Sequence, residues 1–150
     1  MRLVFFQPDI PQNLGASIRL AACFGAGIDV IEPCAFPLND KSMRRAALDY
    51  APLADFQRHD SYGKWRENRG TGRMILFTTK AAASLWDFSF DPDDQLVFGR
   101  ESAGVPDHVH ADADARVFIP IRPEARSLNV SMSAGIALAE AMRQISPASG

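Results

Sequence analysis

The sequence has few cysteines, no long apolar run and no large excess of charge of one sign. Its only cysteines are Cys23 and Cys34, with no Cys-x-x-Cys pair and no Cys/His spacing of a zinc site, which excludes a disulfide-rich scaffold and leaves no metal expected. No stretch approaches the ~20 apolar residues that span a bilayer, and the first apolar run is too short for a signal peptide. We therefore expect a cytoplasmic protein without membrane contact.

The charges nearly cancel, because 16 Lys and Arg stand against 18 Asp and Glu, a net charge of −2. Such a chain does not hold a polyanion by bulk charge, and any nucleic-acid contact requires local basic patches. Arginine greatly outnumbers lysine. This bias fits either bidentate phosphate contacts or a GC-rich genome, and both explanations stay open here.

The 150 residues, 47 % of them hydrophobic, fit one domain over 1–150, with a frayed tail expected at 146–150. Apolar runs predict strands, and capped amphipathic segments predict helices between them. We predict strands over 3–6, 28–31, 54–58, 74–78, 96–98 and 117–119, and helices over 13–24, 41–48, 60–70 and 127–144. Asn13, Asp40 and Asp60 are the expected N-caps of the first three helices. This alternation predicts the α/β class, a mostly parallel sheet with helices on both faces.

The last helix predicts self-association. Its apolar residues do not keep to one stripe, and only Glu140 and Arg143 carry charge. A helix that is apolar on most sides is buried on most sides. Because the rest of a small chain rarely covers a terminal helix all round, we predict a homodimer with this helix in the interface.

Three strand ends carry polar or small residues, and ligands of parallel sheets bind at such ends. After the first strand, Asn13 and Gly15 begin a helix whose free N–H groups suit an anion, and Arg19 follows. An ordinary capped helix explains this segment equally simply. After the predicted strand at 96–98, Gly99 and Gly104 flank Glu101, a pattern that a plain turn also explains.

The third strand end is the most informative. Arg126, Ser127, Asn129 and Ser131 stand where the last helix begins, and capping explains one of these polar residues but not four. Isolated residues elsewhere favour simpler interpretations. We expect His59 to lie on the surface, and Trp86, like Trp65, to serve packing.

Taken together, the segments PDIPQNLG with Arg19, LVFGRESAGVP, and IPIRP with RSLNVS resemble the three ordered motifs of the SPOUT RNA 2′-O-methyltransferases. The segments IEP, LDY and TTK at 31–33, 48–50 and 78–80 resemble the subgroup that acts on the wobble position of tRNA. The resemblance covers nearly the whole chain. It implies an α/β fold with a deep C-terminal trefoil knot, a feature that chain patterning alone does not predict.

The resemblance also implies a cofactor and a set of site residues. S-Adenosylmethionine is the implied cofactor, and Arg19 and Asn13 are the implied catalytic residues. The implied cofactor-binding residues are Phe77, Gly99, Glu101, Ile119, Ser127, Leu128 and Asn129. A guanidinium with a pKa above about 12 is a poor general base at neutral pH, so we expect Arg19 to hold an RNA phosphate and orient the ribose.

The implied substrate is tRNA, bound through its anticodon stem-loop and methylated on the 2′-oxygen of the wobble pyrimidine at position 34. The candidate RNA surface is the helix from Lys41 to Arg45 together with the stretch Arg58–Arg73. The residues assigned to RNA binding are Lys41, Arg44, Arg45, Arg100 and Arg126. The second motif departs from the pattern of some relatives, which have proline and arginine where this chain has Arg100 and Ala103.

Three alternatives remain at this point. The motifs report the chemistry better than the target, so another tRNA position or ribosomal RNA is possible. A non-catalytic RNA-binding scaffold on the same fold is a second alternative, against which Arg19, Gly99 and Asn129 argue. A flavodoxin-like receiver domain requires an acidic cluster after the first strand, where only Asp9 is present.

Overall fold

The computed structural model describes residues 1–147, and the last three residues of the tail predicted at 146–150 lie outside them. The strands are β1 (Arg2–Phe6), β2 (Gly27–Ile31), β3 (Asp55–His59), β4 (Met74–Phe77), β5 (Ala83–Ser84), β6 (Gln95–Phe98) and β7 (Ala115–Phe118). The helices are α1 (Pro11–Phe24), α2 (Lys41–Ala47), α3 (Tyr62–Asn68), α4 (Asp107–Asp112) and α5 (Val130–Ile145), and two 3₁₀ segments cover Leu48–Leu53 and Leu85–Asp87.

The strands of this described part form one parallel sheet in the order β3-β2-β1-β6-β4-β7-β5. The predicted α/β class and parallel sheet are confirmed. The chain moves from β1 outward to β3 and then crosses to the other half of the sheet. Such a reversal of strand order opens a crevice at the carboxyl ends of the neighbouring strands, here those of β1, β6 and β4.

The core lies on both faces of the sheet, which explains why β1 is continuously apolar. Leu3 and Phe5 point to the face covered by α1, α2 and α5, whereas Val4 and Phe6 point to the face covered by α3 and α4. Helices on both faces are therefore confirmed. The larger cluster includes Leu14 near the start of α1 and Ala134 near the start of α5. Buried side chains therefore anchor both helix starts beside the carboxyl ends of the strands.

The N-caps of α1 and α3 differ from the prediction. α1 begins at Pro11 with Ile10 in the N-cap position and no side-chain cap, so Asn13 is not the N-cap. Proline suits the first helical turn because its ring fixes φ and its missing N–H is not needed there. For α3 the cap is Ser61, whose Oγ accepts from the N–H of Lys64, rather than Asp60.

The last helix begins at Val130, three residues later than predicted, so Ser127 and Leu128 belong to a loop. Asn129 is the N-cap, because its Oδ1 accepts the N–H groups of Ser131 and Met132 at 2.9 and 3.2 Å. The predicted cap of α2 is confirmed, since Asp40 Oδ1 accepts from two N–H groups of that helix. β5 and α4 were not predicted; two and six residues are too short for a periodic signal.

A buried polar cluster lies in β2 on the α3 side of the sheet. The Asp29 carboxylate accepts from Arg2 Nε and Nη2 at 2.9 and 2.7 Å and from Trp65 Nε1 at 3.2 Å. His59 is buried 3.7 Å from the same carboxylate, so its expected surface position was wrong. Trp65 packs in the core as expected, whereas Trp86 is 60 % exposed and does not.

Candidate active site

A cavity of about 630 Å³ opens at the carboxyl ends of β4, β6 and β7, bounded on one side by the start of α5. Its volume lies in the range of small-molecule sites. It is bordered by all the residues that the resemblance assigned to the cofactor: Phe77, Gly99, Glu101, Ile119, Ser127, Leu128 and Asn129. Asn13 and Arg100 border it as well. The structure thus brings the three motif segments to one place.

Gly99 permits the tight loop that forms one wall of this cavity. A Cβ atom on Gly99 would lie 2.6 Å from the carbonyl carbon of Gly104, a distance that atoms do not adopt. The loop closes through two backbone hydrogen bonds of 3.0 Å between Arg100 and Gly104, and Gly104 has a left-handed φ of 63°. A side chain at Gly99 would therefore push the wall of the cavity apart.

Side-chain hydrogen bonds join the three motif segments beside the cavity. Asn13 Nδ2 donates to Glu101 Oε1 at 3.2 Å, and Asn129 Nδ2 donates to Asn13 Oδ1 at 2.9 Å. Asn13 is buried, so these partners satisfy an amide that would otherwise be costly to enclose. This polar chain is the role of Asn13 that the capping prediction missed, and it links residues 88 and 116 positions apart.

Asp9 and Glu101 form a carboxyl pair at the same edge of the cavity. Each backbone N–H donates to the other's carboxylate, from Asp9 N at 3.0 Å and from Glu101 N at 3.2 Å, and Ser102 Oγ also donates to Asp9. Burial and a side-chain hydrogen bond between the two carboxyls raise the pKa of Glu101. The same carboxyl–carboxyl hydrogen bond lowers the pKa of Asp9. The two carboxyls therefore titrate as a pair, in two separate steps.

Arg19 does not border the cavity. It lies six residues after Asn13, about 240° round the helix axis, and therefore on another side of α1. Arg19 is exposed, and its guanidinium carbon lies 5.0 Å from the centre of the Tyr50 ring in the 3₁₀ segment Leu48–Leu53.

The predicted RNA-binding residues fall into separate groups. Lys41, Arg44 and Arg45 are exposed on α2. Arg100 borders the main cavity and packs over the Phe6 ring at 5.7 Å. Arg126 borders a smaller neighbouring cavity of about 200 Å³.

Sequence reasoning missed several residues of this region. Asp9 was weighed only as a lone acid, and nothing local signals its partner 92 positions away. Tyr50 was noted only within a motif, without a role. Thr78 and Lys80 border the cavity, and their place directly after β4 is the signal that would have found them.

The described residues 1–147 contain no group of three or more His, Cys, Asp or Glu side chains placed to hold a metal ion. In the same part of the chain, no helix has both the length and the apolar stretch that crossing a membrane requires.

Comparison with known proteins shows where this arrangement recurs. The family model described as the SpoU rRNA Methylase family matches residues 1–139. The chain belongs to this family. The SpoU match agrees with the resemblance of the three motif segments, and it covers every residue that borders the main cavity.

Individual SpoU relatives resemble the whole chain. A tRNA (cytidine(34)-2′-O)-methyltransferase of Beijerinckia indica is 51 % identical over 95 % of this chain and 91 % of its own length. A solved structure concerned with the 2-OH methylation of C/U34 on tRNA superposes with a TM-score of 0.91 at 40 % identity, covering 96 % of this chain and 95 % of the other. The SpoU methyltransferase AviRb of Streptomyces viridochromogenes, in complex with AdoMet, gives a TM-score of 0.88 at 28 % identity, over 96 % of this chain and 60 % of its own.

Proposed function

We propose that this SpoU methylase transfers the methyl group of S-adenosylmethionine to the 2′-hydroxyl of the wobble pyrimidine nucleotide, position 34, of tRNA. The observation that carries the proposal is the meeting of three motif segments at one cavity, where Asn13 is hydrogen-bonded to both Glu101 and Asn129. Relatives 51 % and 44 % identical over nearly the whole chain are named for this reaction. A tRNA substrate implies a cytoplasmic enzyme.

The residues around the cavity fit S-adenosylmethionine. Gly99 and Gly104 border the cavity with backbone that carries no Cβ, and Phe77 and Ile119 add apolar surface. Phe77, Gly99, Glu101, Ile119, Ser127, Leu128 and Asn129 would hold the cofactor, with backbone groups reading the adenine edge. When bound, S-adenosylmethionine supplies a methyl group made electrophilic by its sulfonium sulfur.

The contribution of this chain to the reaction is positioning. Arg19 grips a phosphate of the RNA and orients the ribose 2′-hydroxyl, because a guanidinium offers several N–H donors and keeps its proton at neutral pH. Asn13 keeps the strand-end segments in register through Glu101 and Asn129. Holding two reactants in the right geometry is enough to lower a barrier greatly when the methyl group is already activated.

The RNA-binding surface consists of Lys41, Arg44, Arg45, Arg100 and Arg126, which contact the anticodon stem-loop. Three of these lie exposed on α2, which packs against α1, the helix that carries Arg19. An exposed loop is the kind of RNA that side chains read. Charge reversal of Arg44 and Arg45 together weakens tRNA binding and flattens its salt dependence. An unchanged affinity with an unchanged salt dependence contradicts this assignment.

The active form is a homodimer with α5 in the interface. α1 and α5 pack side by side, and Leu20 approaches Gly135. Next to this contact Phe24 is 44 % and Met132 60 % exposed, an apolar surface that a second copy would cover. A monomer at micromolar concentration in analytical ultracentrifugation contradicts this part of the proposal.

The fold carries a deep trefoil knot in its C-terminal third, within one domain. Two features support this. β4 lies between β6 and β7 although it precedes both in the chain, and the loops that follow β6 and β7 border the same cavity.

The deciding experiment is transfer of labelled methyl from S-adenosylmethionine to unmodified bulk tRNA, with the product nucleoside identified by mass spectrometry. We expect a 2′-O-methylated nucleoside at position 34 with the wild type. Arg19→Ala should lose turnover and keep its cofactor affinity. A methylated nucleoside at another tRNA position, or in ribosomal RNA only, would show that position 34 of tRNA is not the substrate. Cofactor and RNA binding without transfer to either RNA would favour a non-catalytic scaffold.

A further inference from the structure

The environment of Arg19 differs from that of the ion-paired arginines in this protein. In the described residues, five arginines form an ion pair with a carboxylate: Arg2, Arg58, Arg66, Arg73 and Arg143. Within residues 1–147 the Arg19 side chain has no hydrogen bond and no ion pair, and its guanidinium carbon lies 5.0 Å from the centre of the Tyr50 ring. The aromatic ring is therefore the contact that holds this side chain.

The position of Tyr50 beside Arg19 follows from the packing of α1 on α2. Gly15 lies one turn before Arg19 on the same side of α1. A Cβ on Gly15 would lie 2.2 Å from the carbonyl oxygen of Met43, so glycine alone permits this close approach. α1 also packs against the 3₁₀ segment Leu48–Leu53, which carries Tyr50. The ring is half-buried, and both its neighbours along the chain belong to a fixed turn.

We propose that Tyr50 is a positioning residue for Arg19, holding the guanidinium by its face so that its edge is free to bind an RNA phosphate. A cation over an aromatic ring is attracted by the negative face of the π-system. The N–H donors of a guanidinium lie in its plane, so a ring against the face leaves them unused. A carboxylate partner would instead occupy those donors and cancel the charge.

This inference rests on the proposed function, because it assigns Tyr50 a purpose only if Arg19 binds substrate. It deepens that function by naming a residue outside the three motif segments that acts on the reaction through another side chain. It also explains why the exposed Arg19 side chain, which would otherwise sample many rotamers, has one defined position before RNA arrives.

The test compares Tyr50→Leu, which removes the ring face, with Tyr50→Phe, which keeps it. We expect Tyr50→Leu to lower kcat/KM for tRNA by about two- to fivefold, the factor that an exposed cation–π contact supplies, with unchanged affinity for S-adenosylmethionine. Tyr50→Phe should match the wild type. Leu53→Ala, at a 74 % exposed position of the same 3₁₀ segment, controls for local disturbance and should also match it.

A purely structural role for Tyr50 is distinguished in the Arg19→Ala background. There the inference expects Tyr50→Leu to leave the dissociation constant for tRNA unchanged, although it weakens binding in the wild-type background. The inference is overturned if Tyr50→Leu matches the wild type, if Tyr50→Phe is as impaired as Tyr50→Leu, or if both backgrounds lose binding equally. Those three outcomes overturn the inference alone. A wild-type enzyme that methylates no tRNA overturns the proposed function, and the inference with it.

Discussion

Replacing Gly99 with alanine should weaken the binding of S-adenosylmethionine while leaving the protein folded. The added Cβ would lie 2.6 and 2.7 Å from the carbonyl carbon and Cα of Gly104. Both are backbone atoms, so no side chain can turn aside. The loop must open, and the two 3.0 Å hydrogen bonds between Arg100 and Gly104 stretch as it does.

The size of the effect follows from this geometry. Forcing one extra carbon into a closed packing costs about 1–3 kcal/mol, which the fold can absorb. Opening the loop moves the cavity wall, which removes one or two hydrogen bonds to the cofactor at about 1 kcal/mol each. Together with part of the strain cost, this loss weakens cofactor binding about 10- to 100-fold.

The assay is isothermal titration with S-adenosylmethionine, alongside urea unfolding of the same samples. The matched control is Gly72→Ala, whose Cβ would lie 1.8 Å from the carbonyl oxygen of Asp93 at the opposite end of β4. It should lose stability and keep its cofactor affinity. If Gly99→Ala binds within twofold of the wild type, or if both variants weaken binding equally, the argument from the loop is refuted.

Three further predictions follow from contacts away from the cavity. Asp40→Ala removes the N-cap of α2 and should lower the free energy of unfolding by about 1 kcal/mol, measured in urea, with Asp40→Asn as the control that retains it. Trp65→Phe leaves one oxygen of buried Asp29 without its donor and should cost about 1–3 kcal/mol, so an unchanged unfolding midpoint would contradict it. The hydrogen bond from Arg143 lowers the pKa of Glu140 to about 2, so this carboxylate stabilises the fold above its usual pKa near 4.5 and the contribution disappears as the pH falls towards 2. Glu140→Gln should flatten that acid loss in unfolding midpoints measured across this range.

The sheet was predictable because its strands carry their own signal. β1, β2, β4 and β6 are buried on every or nearly every residue, so each appears in the sequence as a short apolar run. β5 gave no such signal, because it has two residues and a single partner strand. Strand order was beyond prediction, since β1 pairs with β6 across most of the chain and no local pattern encodes that choice.

The candidate site was predictable in part of its membership and not in its geometry. Every residue that the resemblance assigned to the cofactor borders the cavity, but the resemblance did not say which of them contact one another. Asparagine is a preferred helix N-cap, but the buried Asn13 amide instead donates a hydrogen bond to Glu101. The helical period places Arg19 about 240° round the axis of α1 from Asn13. The sequence therefore already indicated that the two side chains lie on different sides of this helix.

Asn129 performs two tasks with one short side chain. Its oxygen closes the first turn of α5, and its nitrogen donates to Asn13. Aspartate could close the turn but has no donor when ionised, and serine has one rotating hydroxyl for both tasks. Glutamine carries both groups on a longer stem, outside the preferred set of caps. The choice of amino acid at this position is thus narrowed to asparagine by the architecture of the protein itself, before any ligand makes a demand on it.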